Sequence, residues 1–107
     1  MIFNAAPPMG GGWVDVSSSF DYENSEISPE ITAYSDGHFV FLSVESIDDG
    51  STVFTDDESL RPLVANNGFV SSCDSVGFDM RVYTDFDSGR TYITPCLNMF
   101  AILYPIA

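Results

Sequence analysis

The chain has 107 residues and 11.7 kDa, one compact domain's worth, and 45% of it is apolar with fifteen aromatic side chains, enough to close a core. Three arginines and no lysine stand against sixteen acids, a net charge of −13 that excludes phosphate binding by counterion release and hence direct nucleic-acid binding. No apolar run reaches the roughly 18 residues a membrane span needs, so no membrane insertion is expected, and the start lacks the basic and apolar regions of a signal peptide.

Residues 1–12, with Pro7, Pro8 and Gly10-Gly11-Gly12, read as a flexible arm, and residues 13–107 as a single domain anchored where Trp13 is buried. Trp13 to Val16 suits a short strand, and Phe20-Asp21-Tyr22-Glu23 alternates apolar with acidic residues as an edge strand does. Pro29 speaks against a central strand at that point. Ile31 to Tyr34 and His38 to Val44 are β-rich runs joined by Ser35-Asp36-Gly37, a strong hairpin signal because glycine takes the positive φ a tight turn requires. The second run is apolar on both faces, which predicts cover on both, by a second sheet and by a neighbouring subunit.

Turn chemistry recurs at Ile47 to Ser51 and is followed by a strand over Ser51 to Thr55. A loop closes at Arg61-Pro62, and Asn66-Asn67-Gly68 turns the chain into Phe69 to Cys73. In Phe78 to Thr84 the period is two, with Phe78, Met80 and Val82 inward and Asp79, Arg81 and Tyr83 outward. Asp85-Phe86-Asp87-Ser88-Gly89 leads into Arg90 to Thr94, and Met99 to Tyr104 supplies a last strand. No stretch offers a helix. The expected fold is all-β, an antiparallel, jelly-roll-like β-sandwich of seven to nine short strands.

Chemistry is sparse. The single histidine, His38, follows a turn and reads as a half-exposed strand end, so no catalytic residue and no cofactor are assigned. Asp85 and Asp87 open like a calcium loop, but the twelfth position is Cys96 rather than a bidentate Glu, which favours a plain hairpin tip. Cys73 and Cys96 read as buried thiols, with a cross-strand pair as the alternative. Tyr34 with Asp36, and Tyr83 with Asp85, combine ring and carboxylate near loop tips. Sugar-binding sandwiches use that composition, and so does ordinary cross-strand packing. Twelve of the acids and no base fall in residues 1–60, either as solvated turns or as an anionic face.

The order of short motifs resembles the β-sandwich head domains of bacteriophage tail fibres and of receptor-binding or baseplate proteins. It comprises Trp13, then Tyr34-Ser35-Asp36-Gly37-His38-Phe39-Val40-Phe41-Leu42, Val53-Phe54-Thr55, Leu60-Arg61-Pro62 and Asp85-Phe86-Asp87-Ser88-Gly89-Arg90, within residues 13–103. The resemblance implies a non-enzymatic, homotrimeric module of the virion, present in the host cytoplasm before assembly, that binds a cell-surface glycan or a virion partner. The charge supports a different expectation, an acidic inhibitor that imitates nucleic acid, of the anti-restriction or anti-CRISPR type.

Overall fold

Strands in this chain begin and end where a side chain or a glycine can turn the backbone. In the computed structural model, which describes residues 11–48, 50–64, 68–73, 78–95 and 98–107 (without the side chains of Cys73 and Phe78), Asp36 shows the device. Its Oδ1 accepts the N–H groups of His38 and Phe39, both at 2.8 Å, while Gly37 takes φ +91°. The turn folds β3 (Glu30–Ser35) back onto β4 (Phe39–Glu45), as the Asp-Gly signal predicted.

The remaining strands are β1 (Val14–Asp15), β2 (Phe20–Glu23), β5 (Thr52–Thr55), β6 (Phe69–Cys73), β7 (Phe78–Asp85), β8 (Arg90–Thr94) and β9 (Met99–Pro105). They make an all-β antiparallel sandwich. A four-stranded sheet runs β1-β3-β4-β9 and a five-stranded sheet runs β2-β5-β8-β7-β6. Helical structure among the described residues is limited to single 3-10 turns at Ser17–Ser19 and Glu58–Leu60, and no helix there is long and apolar enough to cross a membrane. β2 is an edge strand, and its outward Asp21 and Glu23 give that edge the charge that discourages pairing with another chain.

The period-two pattern sorts side chains between the layers. Val40, Leu42, Val44, Ile102 and Tyr104 from one sheet meet Val53, Met80, Val82 and Ile93 from the other, while Ile47 and Leu60 fill in from the loops. Each such side chain stabilises the fold by about 1.5–3 kcal/mol relative to exposure. Buried hydroxyls beside them find partners, whereas the buried Arg61 Nε has none among the described residues. Thr84 and Thr91 share a hydroxyl hydrogen bond of 3.1 Å, Thr55 Oγ1 accepts the Asp57 N–H, and the Tyr104 hydroxyl donates to the Leu60 carbonyl at 2.8 Å.

β4 is greasy on both sides, as expected, yet the second sheet covers only one of them. Val40, Leu42 and Val44 are in the core, whereas on the outer face Phe41 is buried but Phe39 remains 39% exposed, as does Leu103 at 45%. Trp13 is half-buried rather than buried. The cysteine assignment and the Asn66-Asn67 half of the turn before β6 lie outside the described side chains and residues.

Candidate functional site

Hairpin geometry assembles the most distinctive surface of the molecule. β7 and β8 pair with Asp85 opposite Arg90, so every residue of one strand meets the partner whose number completes the same sum, and Tyr83 falls opposite Tyr92. Both point away from the core because Val82 and Ile93 occupy the inward positions. Their rings stack with centroids 5.8 Å apart and planes at 29°. Across the next strand boundary Phe54 of β5 lies opposite Tyr92, at 6.1 Å and 52°. Three strands thus carry a continuous row of aromatic rings on the outer face of the five-stranded sheet.

Arg90 fixes one end of the row. Its guanidinium carbon sits 3.9 Å from the centre of the Phe54 ring, its Nε is 3.0 Å from Asp56 Oδ1, and its Nη1 is 3.5 Å from Glu23 Oε2. Asp56, followed by the Tyr92 hydroxyl, raises the Arg90 pKa above its ordinary value, so the charge is permanent. At the other end stands Gly68, with φ +68°. A Cβ added there would collide with the Val82 carbonyl and come within 3.0 Å of the Tyr83 Cβ. Only glycine lets the chain approach β7 this closely. Arg81, on the same outward side of β7 as Tyr83, is exposed and forms no ion pair among the described residues.

The four residues singled out from sequence are distributed over two separate surfaces. Tyr83 belongs to the aromatic row. Asp85 borders it, but its carboxylate is engaged in building the hairpin tip. Oδ1 accepts the Asp87 N–H at 3.0 Å and Oδ2 the Ser88 hydroxyl at 3.1 Å. Tyr34 lies on the outer face of the other sheet, opposite Asp15 and Phe41. Asp36 caps its turn, and the N–H groups of His38 and Phe39 hold its carboxyl below the usual range. No group of three His, Cys, Asp or Glu side chains suited to a metal occurs among the described residues. Asp87 is exposed beside Asp85, and His38 is exposed in the bend just before β4, where its carbonyl accepts the Ile106 N–H.

Tyr92, Phe54 and Arg90 were not among the sequence candidates. Tyr92 is recoverable from the hairpin, since a turn that pairs Asp85 with Arg90 fixes its register. Phe54 and the acids that hold Arg90 come from distant strands, and no local signal marks them. Comparison with protein-family models, with curated proteins and with solved structures found no match.

Proposed function

We propose that this chain is a non-enzymatic recognition module of the phage receptor-binding type, and that it binds a cell-surface glycan along the Tyr83–Tyr92 face. The supporting observation is the aromatic row itself, two half-buried tyrosines on adjacent strands, stacked on each other and packed against Phe54, whose ring Arg90 covers. A pyranose ring presents an apolar C–H face that covers an aromatic surface, and fixed rings lose little conformational entropy on binding. Arg81 flanks the row and offers guanidinium donors to sugar hydroxyls, while the Thr94 hydroxyl is engaged by the Arg81 backbone.

In this reading the module acts as a homotrimer, as such heads do, and belongs to the virion. The exposed Phe39 and Leu103 on the opposite sheet provide apolar surface for contacts between copies. The nucleic-acid-mimic reading has less support. Asp15, Asp21, Asp36, Asp57 and Asp85 each direct an oxygen to a backbone N–H within three residues, so these carboxylates shape loops instead of forming a free anionic array.

The test is a glycan array followed by calorimetry with the best-retained oligosaccharide. Tyr83→Ala and Tyr92→Ala are each expected to weaken binding at least tenfold with an unchanged far-ultraviolet spectrum. Binding that survives both substitutions, or no retention of any glycan, refutes the reading.

A further inference from the structure

The sandwich is left open at one corner. β1 contributes only two residues to the edge of the four-stranded sheet, and the loop carrying Asp57 and Leu60 stands off from it. Between them lies a cleft of about 530 Å³, within the range of roughly 300–1,000 Å³ of small-ligand sites. Val14, Val16, Leu60 and Ile106 supply its aliphatic lining, beside a polar part of similar extent that includes Ser35 and Ser59. Val14 is 62% exposed although its backbone is paired with Ser35, so the cleft keeps apolar surface in contact with water.

Two carboxylates complete the lining. Asp36 comes from the β3–β4 turn and Asp57 from the loop after β5, and among the described lining residues none is basic. Both are fixed by their own loops. Asp36 Oδ1 is taken by two backbone N–H groups, and Asp57 Oδ1 by the N–H and hydroxyl of Ser59. In each case Oδ2 makes no hydrogen bond to a described residue. An occupant must therefore be apolar along its body, to cover the four hydrocarbon side chains, and positive at one end, to satisfy two anions that no arginine of the lining offsets.

We propose that this cleft receives a cation carried on an aliphatic stem, as presented by a lysine side chain of a partner protein. It is separate from the aromatic row and does not rest on the glycan reading. The row lies on the outer face of the five-stranded sheet, whereas the cleft opens between the layers beside β1. A free alkylamine offers the same chemistry as the side chain, so the experiment distinguishes the two sources.

Amide chemical shifts of the intact chain are followed while n-butylammonium, n-butanol or ammonium ion is added. They are then followed with an acetylated, amidated Gly-Lys-Gly peptide and with its norleucine counterpart. Butylammonium and the lysine peptide are expected to move the amide signals of Gly37, Ser59 and Leu60 saturably, and butanol, ammonium and the norleucine peptide are not. Asp36→Asn with Asp57→Asn keeps both loop-capping oxygens while removing the charges, and is expected to weaken butylammonium binding about fivefold or more with an unchanged far-ultraviolet spectrum. Equal responses to butanol and butylammonium, or binding unchanged in the double variant, overturn the proposal. A response to butylammonium but not to the lysine peptide overturns the partner-protein source and assigns the cleft to free amines.

Discussion

Tyr104→Phe isolates one hydrogen bond at the centre of the molecule. Tyr104 is fully buried, and its hydroxyl reaches across the layers to the Leu60 carbonyl at 2.8 Å. Phenylalanine fills almost the same volume, so no cavity term enters, and what remains is a buried carbonyl left without its donor. That costs about 1–3 kcal/mol, which for a domain of this size lowers the melting temperature by roughly 4–8 °C per kcal/mol. The same substitution has a pH signature. Burial pushes the Tyr104 hydroxyl well above its ordinary pKa of 10.0, with the Asp57 charge adding to the effect. The folded state therefore holds its proton at pH values where the unfolded chain has released it. Stability from this group is complete below pH 10 and is lost as pH rises, at about 1.4 kcal/mol per pH unit. Urea titrations at pH 7 and between pH 9.5 and 11 measure both effects. Tyr104→Phe should be weaker at pH 7 and decline less steeply above pH 10. Equal midpoints at pH 7, or identical alkaline slopes, would falsify the account of the Tyr104–Leu60 bond.

Two further outcomes follow from the turns. Gly68→Ala combines a positive φ with a Cβ driven into the Val82 carbonyl, and should destabilise the fold by about 2 kcal/mol or more, read as a lower urea midpoint with an unchanged slope. On the acid side, Asp36 and Asp15 have carboxyl pKa values held below 3.8, by the N–H groups of His38 and Phe39 and by the Ser17 N–H and hydroxyl respectively. A depressed folded pKa gives stability that is present above the unfolded value and disappears as pH falls through the folded one. Asp36→Asn, which retains the capping oxygen without the charge, should therefore lose less melting temperature than the parent between pH 4 and pH 2. A parallel decline of the two proteins would show that the turn does not favour the ionised form.

Local chemistry was legible in the sequence because it is decided by neighbours in the chain. The Asp36-Gly37 and Asp85-to-Gly89 turns, the acidic edge strand β2 and the alternation in β7 all depend on residues within a few positions of one another. Pairings between distant segments were not legible. Phe54 lies beside Tyr92 because β5 is inserted between β2 and β8, and Arg90 is held by Glu23 and Asp56 from two other parts of the chain. Adjacency in sequence also suggested a partnership for Tyr34 and Asp36 that the strand geometry does not favour. Tyr34 faces outward from its sheet, while Asp36 has already left the strand and directs its carboxylate to the backbone of the turn.

In the β7–β8 hairpin, Met80, Val82, Thr84, Thr91 and Ile93 belong to the interior, whereas Arg81, Tyr83, Arg90, Tyr92 and Thr94 alternate with them on the outside. Core positions and surface positions are interleaved residue by residue within one short contiguous stretch. Mutation can therefore vary the outer surface while every second letter keeps the scaffold intact, a separation that the proposed glycan face would exploit.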